Sequence, residues 1–415
     1  MDKKQTQTKK KARGKKQRIG RPNLFFYHLA MLVLRPYYYL RYGVRVDRRA
    51  LRGIRGPALI LAPHISGKDH VLVGIALFPH RPTFVMSQHF FAFPVLGWFL
   101  KRMHAIGKRM FSSDAKTILQ VLRAKQEGNL IVLFPEGRLP ACGHSLPIAD
   151  GTAELVKKLA IPVYTVTGNG AYLTFPKWAK CKRRGKIRVT CEQLFSGEDL
   201  KALPTEEVAR RMQAALAHDD EAAMRGQVYR TRDTTRGLDG LLRRCPVCGK
   251  YGTLSCRRGH IVCTCGMDAT LDTAWRLHGA PFESVNAWFD WQQREMDLSQ
   301  PLTDRVEVET IDDAGRMRRG AGEGVATLDR DAFSFSGEVF GEPVSFSVPT
   351  SLLGGIPITV AKHFDIYYEN RLFRLYPLTE PRDAILWTSY LDCLHDTASP
   401  GDDRKEEPHV ESNSL

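Results

Sequence analysis

Short apolar runs alternate with segments of helical periodicity in the first half of the chain. Continuous apolar runs are typical of strands buried on both faces of a parallel sheet, and parallel strands are usually connected by helices. The pattern therefore predicts an α/β fold in which helices flank a sheet. The predicted strands span 59–62, 83–87, 129–134, 162–167 and 186–191, and the predicted helices span 69–78, 95–103, 114–126 and 151–160.

Apolar residues recur with a period of two beyond residue 300. Such runs, separated by Gly, Pro, Asp and Asn, are typical of short antiparallel strands. We expect a β-rich domain over residues 300–397, and several strands followed by one helix resemble a pleckstrin-homology-like barrel. The predicted strands lie at Val306 to Val308, 332–337, 344–348, 364–368 and 372–376, and the predicted helices span 285–296 and 384–394.

Residues 23–50 carry an aromatic and apolar run that is broken by Arg35-Pro36 and continues with three tyrosines and Leu40. The run is too short and too interrupted to span a bilayer, and its mixture of aromatic and basic residues suits the headgroup boundary. We therefore predict a membrane-associating interfacial segment, and a helix packed on the protein's own core is the alternative. No small-residue cleavage site follows a compact apolar stretch, so we expect no signal peptide and a monotopic or peripheral protein on the cytoplasmic face of the cell membrane.

The net charge of +16 is concentrated at the start of the chain, where residues 1–22 hold ten Lys or Arg and one acidic residue, Asp2. A block of like charge cannot bury a core and is predicted to be disordered, as is the polar tail 398–415. Its partner is predicted to be an anionic membrane surface, because the aromatic segment follows it directly. Nucleic acid is not the expected partner, although a basic tail also suits phosphate backbones.

Two short motifs follow predicted strands. His64 and Asp69 lie between the strand 59–62 and an apolar helix, and Glu136, Gly137 and Arg138 follow the strand 129–134. In open α/β sheets ligands bind at the carboxyl ends of the strands, so both motifs are expected at the same edge. Histidine is the side chain best matched to remove a proton at pH 7, and a carboxylate beside it orients the ring and stabilises its positive charge.

With these motifs the sequence resembles the glycerolipid acyltransferase superfamily, which includes lysophosphatidic acid acyltransferases. The resemblance covers about residues 55–192 and rests on His64 and Asp69, on Phe134 to Gly137 and on Ile161 to Val163. The block Ala105 to Arg109 has the expected position and basic residues but lacks the usual aromatic residue, and Pro63 stands where many relatives carry asparagine.

The resemblance implies that His64 is the general base, that Asp69 orients it, and that Glu136 and Gly137 shape the acceptor site without a catalytic cofactor. It implies transfer of an acyl group from acyl-CoA or acyl carrier protein to the hydroxyl of a lysophospholipid, by preference 1-acylglycerol 3-phosphate. Lys108, Arg109 and Arg138 supply cations suited to the acceptor phosphate. The alternative for Lys108 and Arg109 is a solvated surface pair.

Five of the nine cysteines lie between residues 245 and 265. Two knuckles, C-x2-C-G and C-x-C-G, resemble a zinc ribbon, in which tetrahedral zinc takes four ligands from two turns. We predict a structural zinc ion in a zinc-ribbon-like module over residues 240–275. The preferred ligands are Cys245, Cys248, Cys263 and Cys265, and Cys256 or His260 is the possible substitute.

The predicted order is therefore the basic tail, the interfacial segment, an acyltransferase domain over residues 51–235, the zinc-ribbon-like module, the β-rich domain and the C-terminal tail. Two classes of function remain open. The first is a membrane-associated lysophospholipid acyltransferase. The second is an inactive acyltransferase-like protein that regulates or binds nucleic acid or protein through the basic tail and the zinc ribbon.

Overall fold

The computed structural model describes residues 18–110, 115–312, 315–369 and 371–398. Residues 1–17 of the predicted basic tail and 399–415 of the predicted C-terminal tail lie outside the described residues. Among the helices of the described part, none is long and apolar enough to cross a membrane.

The helices are α1 (Leu24–Tyr42), α2 (Asp69–Leu77), α3 (Pro94–Arg102), α4 (Ala115–Gln126), α5 (Thr152–Leu159), α6 (Ala171–Thr174), α7 (Asp199–Ala202), α8 (Thr205–Leu216), α9 (Asp220–Ala223), α10 (Val285–Arg294) and α11 (Ala384–Ala398).

The strands are β1 (Arg45–Val46), β2 (Ala58–Leu61), β3 (Thr83–Ser87), β4 (Ile106–Lys108), β5 (Leu130–Leu133), β6 (Val163–Asn169), β7 (Arg188–Phe195), β8 (Leu254–Arg257), β9 (His260–Cys263), β10 (Asp268–Leu271), β11 (Leu277–His278), β12 (Leu302–Ile311), β13 (Met317–Leu328), β14 (Ala332–Val339), β15 (Glu342–Pro349), β16 (Ile358–Thr359), β17 (His363–Tyr368) and β18 (Arg371–Pro377).

The first sheet has the strand order β1-β7-β6-β2-β5-β3-β4, and its neighbours are parallel except β6 and β7. Strands β2 and β5 at its centre are buried at every position, which explains their continuous apolar sequences. Successive side chains point to opposite faces, so Leu59 and Leu61 enter the core that includes α4, α5 and α8, while Ile60 enters the core that includes α1 and α2. The predicted α/β class is confirmed.

Helix α1 is one continuous helix across the interruption in its apolar sequence. The helix continues through Pro36 to Tyr42, although Arg35-Pro36 breaks the apolar run. Proline removes one intrahelical hydrogen bond, whose acceptor would be the carbonyl of Leu32, a residue on the exposed face of α1. The helix packs on α2, where the hydroxyl of Tyr27 donates to the carbonyl of Gly74 at 3.2 Å. The predicted segment 23–50 also contributes β1, which pairs with β7.

The middle of the chain forms a small four-stranded antiparallel sheet in the order β11-β10-β9-β8. The C-terminal sheet has seven strands in the order β15-β14-β13-β12-β18-β17-β16, all antiparallel, and α11 packs on it. Trp387 of α11 stacks on Phe364 with ring centroids 4.4 Å apart. The predicted β-rich C-terminal region is confirmed, while the barrel likeness stays a prediction.

Strand β13 was absent from the predicted strands because three glycines interrupt its apolar pattern. The structure shows a reason for one of them: a Cβ on Gly322 would lie 1.8 Å from the carbonyl oxygen of Glu338 on β14. Only glycine allows the two backbones to approach this closely.

Candidate active site

His64 and Asp69 are joined in the loop between β2 and α2. The Nδ1 atom of His64 lies 3.2 Å from Oδ2 of Asp69, and the Ser66 N–H donates to the same oxygen at 2.7 Å. Asp69 is the first residue of α2, where a negative charge interacts favourably with the helix dipole. If Nδ1 carries the proton, it donates to Asp69, and Nε2 is left as the basic nitrogen. The His64 side chain is 23% exposed, so the ring is not sealed from a substrate.

Glu136 connects the two motifs. One carboxylate oxygen accepts a hydrogen bond from the backbone N–H of His64 at 2.9 Å, and the other accepts from the N–H of Leu146 at 3.0 Å. The connection follows from the sheet, because β2 and β5 are parallel neighbours with Leu61 opposite Leu133. Both strands therefore end at the same edge, as the sequence predicted.

Burial dominates the electrostatics of these three residues. It lowers the pKa of His64 to about 4, although Glu136 acts in the opposite direction. It raises the pKa of Glu136 to about 7, while the N–H groups of Leu146 and His64 oppose the shift. It also raises the pKa of Asp69, against the hydrogen bond from Ser66. His64 is thus held neutral at pH 7, which is the form that accepts a proton.

Lys108 and Arg109 lie at the end of β4, on the same carboxyl edge of the sheet. Strand β4 is three strands from β2 in the sheet order, a separation of about 14 Å for strands spaced at about 4.8 Å. Lys108 is half-buried and Arg109 is exposed. Lys108 and Arg109 therefore lie on the same carboxyl edge as His64, but at the last strand of the sheet and away from the His64 loop.

Arg138 is engaged by the C-terminal helix. Its guanidinium forms an ion pair with Asp392 and donates to Oγ1 of Thr388 at 3.3 Å, and its side chain is only 9% exposed. A phosphate could reach Arg138 only if this ion pair opened. Gly137 before it has a φ of 76°, a left-handed conformation that favours glycine in the tight turn after β5.

Two further charged residues of interest, Lys177 and Asp220, were not predicted from the sequence. Lys177 donates to the carbonyl of Leu139 at 3.3 Å, burial lowers its pKa to about 7, and its charge acts on His64. Asp220 is fully buried and accepts hydrogen bonds from the N–H groups of Gly170 at 2.6 Å and Leu173 at 3.1 Å. No local pattern marks Lys177, whereas the acidic run that contains Asp220 was a visible signal.

The four preferred cysteines of the middle module come together. Their sulfur atoms lie within 4.8 Å of one another, and the pairs Cys245–Cys265 and Cys248–Cys263 are each 3.8 Å apart. All four are free thiols. His260 instead lies 2.9 Å from Asp268, and Cys256 is outside the cluster.

The known proteins that this chain resembles point to one class. Residues 43–168 match the family described as Acyltransferase, and they include His64, Asp69 and Glu136. The match supports an acyltransferase domain in this part of the chain. A 1-acyl-sn-glycerol-3-phosphate acyltransferase of Bacillus subtilis (strain 168) is 21% identical over 177 residues, which cover 43% of this chain and 86% of the relative.

Among solved structures, the 1-acyl-sn-glycerophosphate (LPA) acyltransferase of Thermotoga maritima superposes with a TM-score of 0.38 at 17% identity, over 48% of this chain and 76% of that one.

Proposed function

We propose that the protein transfers an acyl group from acyl-CoA or acyl carrier protein to the free hydroxyl of a lysophospholipid, by preference 1-acylglycerol 3-phosphate. The observation that carries the proposal is the contact of His64 Nδ1 with Asp69 at 3.2 Å, which leaves Nε2 to take a proton. The match of residues 43–168 to the acyltransferase family supports the reaction type. The named activity of the Bacillus relative supports the acceptor.

The reaction needs one proton transfer in each direction. Nε2 of His64 removes the proton of the acceptor hydroxyl while the oxygen attacks the thioester carbonyl. The C–S bond breaks, an ester C–O bond forms, and the proton on His64 returns to the leaving thiolate. Asp69 holds the ring in position and stabilises the imidazolium. Glu136 contributes a second negative charge beside the His64 loop when it is ionised.

The acceptor phosphate is proposed to bind Lys108 and Arg109 at the end of β4. Arg138 can bind the phosphate as well only after its ion pair with Asp392 opens. The position of the C-terminal helix would therefore determine whether Arg138 is available to the phosphate. The free hydroxyl and the phosphate of 1-acylglycerol 3-phosphate are on adjacent carbons, so they lie much closer together than β2 and β4. Lys108 and Arg109 can therefore bind this phosphate only with their long side chains extended from β4 toward the His64 loop. We propose that this edge is the acceptor site.

The membrane-facing surface is proposed to be the outer side of α1 together with α3. Helix α1 exposes a row of large apolar side chains, with Leu32 72% and Leu40 78% exposed, and α3 adds Val95 at 82%. Large exposed apolar patches commonly mark an interaction site. An anionic bilayer is the proposed partner, because the ten basic residues of 1–22 immediately precede α1.

A structural zinc ion is proposed at Cys245, Cys248, Cys263 and Cys265. Tetrahedral zinc with Zn–S bonds of about 2.3 Å separates its sulfur ligands by about 3.8 Å. Both close sulfur pairs have this separation. A disulfide would require about 2.05 Å. The ion would stabilise the small sheet β8–β11, whose core is too small to fold readily without such a constraint.

The experiment that tests the proposed reaction is a thiol-release assay with purified full-length protein, vesicles, acyl-CoA or acyl carrier protein thioester, and 1-acylglycerol 3-phosphate. We expect thiol release that depends on the acceptor, together with a diacyl product. Absence of product with either donor, from protein that is folded and bound to vesicles, would overturn the enzymatic proposal and favour the inactive regulatory alternative.

A further inference from the structure

A second group of metal-type ligands lies outside both the His64 loop and the four-cysteine cluster. The Sγ atom of Cys142 lies 3.3 Å from Nδ1 and 3.4 Å from Nε2 of His144, and Nε2 lies 3.7 Å from Oδ1 of Asp290. The three ligand atoms all lie within 4.8 Å of one another. Cys142 and His144 belong to the loop after β5, whereas Asp290 lies on α10.

We propose that Cys142, His144 and Asp290 bind a divalent metal ion such as zinc, which connects the loop after β5 to α10. Thiolate, imidazole and carboxylate together suit zinc, and three protein ligands leave a fourth position for water. Around tetrahedral zinc, sulfur and nitrogen ligands are separated by about 3.6 Å and nitrogen and oxygen ligands by about 3.4 Å. The corresponding separations here are 3.4 and 3.7 Å.

The backbone around the group is held by hydrogen bonds that do not depend on a metal. The Gly143 N–H donates to the side chain of Asn286 at 3.0 Å, and the Gly143 carbonyl accepts from the N–H of Asp220 at 2.9 Å. Asn286 and Asp290 are one helical turn apart, so both face this loop from α10. The ligands are therefore presented by a framework that is already ordered.

The charge around Cys142 also favours a cation. The carboxyl groups of Asp290 and Asp219 both act electrostatically on the sulfur. Glu221 acts on it as well, but burial raises the pKa of Glu221 to about 8, so this carboxyl is largely uncharged at pH 7. Burial raises the pKa of Asp290, while His144 and Arg294 act on it in the opposite direction, because a positive charge on either favours the ionised carboxylate. A divalent ion would offset this accumulation of negative charge where a thiolate is also required.

The accessibility of the three ligands argues against a catalytic triad. Cys142 is only 1% exposed, so its sulfur cannot readily attack a substrate carbonyl. His144 and Asp290 have side chains that are 31% and 38% exposed, so the group opens to solvent on their side. This arrangement suits an ion that enters from solvent and settles between the buried sulfur and the exposed pair.

The metal site would be connected to the proposed active site through Leu146. This residue follows the ligand loop, and its N–H donates to Glu136, which in turn accepts from His64. The ion would thus fix one of the two donors that orient Glu136.

Metal content of purified full-length protein tests the proposal. We expect about two zinc equivalents per chain, one from the four cysteines and one from the new site. Cys142→Ser should lose one equivalent, whereas Cys245→Ser with Cys248→Ser should lose the other. Cys191→Ser, another buried thiol, is the matched control and should keep both.

Asp290→Asn is a second variant of the site that should keep the fold, because this half-exposed side chain does not contribute to the hydrophobic core. With Co²⁺ in place of zinc, a site with one thiolate gives a weaker sulfur-to-metal absorption than the four-thiolate site. This weaker absorption should disappear in Cys142→Ser. In Asp290→Asn the affinity of the site for Co²⁺ should fall by at least about 10- to 100-fold, the loss that removal of an outer-shell partner alone typically causes. The proposal would be overturned if the wild-type protein held one zinc equivalent and lost it only in Cys245→Ser with Cys248→Ser. Unchanged metal content in Cys142→Ser would overturn it as well.

Discussion

The backbone N–H of His64 donates a hydrogen bond to the carboxylate of Glu136 at 2.9 Å, although the two residues are 72 positions apart in the sequence. The bond joins the loop after β2 to the loop after β5, which are neighbouring parallel strands. Glu136 therefore fixes the position of the His64 loop and, when it is ionised, adds negative charge beside it. A change at Glu136 is expected to act through His64.

The His64–Asp69 pair gives the most direct prediction. We expect His64→Ala to lower kcat by about 100- to 10000-fold, the usual effect of removing a general base. Asp69→Asn should be nearly as damaging, because the amide keeps the shape but neither fixes the tautomer nor stabilises the imidazolium. Steady-state kinetics on folded variants measure both effects. Substantial turnover by His64→Ala would contradict the mechanism.

Glu136 predicts the pH dependence of the rate. Its pKa of about 7 means that the carboxylate loses its charge as the pH falls through neutrality. The imidazolium formed during the reaction is then less stabilised, so kcat/KM should fall on the acid side with an apparent pKa near that value. His64, with a pKa of about 4, should not contribute to this limb. In Glu136→Gln the limb should vanish and the rate should be low at every pH. Its persistence would assign the limb to another group.

The same shift has a consequence for stability. A carboxyl group whose pKa is raised from 4.5 to about 7 stabilises the folded state fully below pH 4.5, and this contribution is lost as the pH rises to 7. The loss corresponds to about 3 kcal/mol at 1.36 kcal/mol per pKa unit. The lowered pKa of His64 works in the opposite sense between pH 4 and 6.5, so the two contributions partly cancel in the wild type. Unfolding of the wild type and Glu136→Gln should therefore be compared across pH, and a constant difference would contradict the assignment.

Lys108 and Arg109 should affect the acceptor more than the donor. We expect Lys108→Ala with Arg109→Ala to raise KM for a phosphorylated acceptor while KM for the thioester changes little. Asp392→Asn is the informative partner variant, because it releases Arg138 and should lower the acceptor KM if Arg138 can bind phosphate. An unchanged acceptor KM in the double variant would assign the two cations to the surface.

Loss of the proposed zinc ion should destabilise the middle module and leave the acyltransferase sheet folded. Cys245→Ser with Cys248→Ser should lose about one zinc equivalent and expose residues 245–278 to proteolysis, because thiolate coordination supplies folding energy to such small modules. Limited proteolysis with mass spectrometry measures this, and Cys256→Ser is the control, since its sulfur lies outside the cluster. A metal-free wild-type protein with a protease-resistant module would contradict the prediction.

The parts of the site that could be predicted are those encoded locally. His64 and Asp69 share one loop, and Glu136 follows a recognisable strand, so strand order alone brings them to one edge. The four cysteines were found because knuckle spacing is set by short turns. The ion pair of Arg138 with Asp392 joins residues 254 positions apart, and it depends on how the C-terminal helix packs on the first domain. No periodicity or motif records that packing.

The exposed face of α1 predicts the membrane behaviour. Deleting the whole helix is a poor test, because Tyr27, Met31 and Tyr38 are buried in the core. Leu32→Asp with Leu40→Asp changes only residues that are 72% and 78% exposed, so the fold should be retained.

Binding to anionic vesicles should weaken by at least about tenfold in this double variant, because inserting each leucine removes apolar surface from water and inserting a carboxylate is unfavourable. Leu352→Asp, at a position 68% exposed on the C-terminal domain, is the matched control and should bind like the wild type. Flotation of protein with vesicles measures the difference. Removing residues 1–17 should instead reduce the salt dependence of binding, because each basic residue near the surface contributes about 1 kcal/mol that salt screens. If the double variant floats as well as the wild type at high salt, α1 is not the membrane-binding surface, and the C-terminal sheet is the next surface to test.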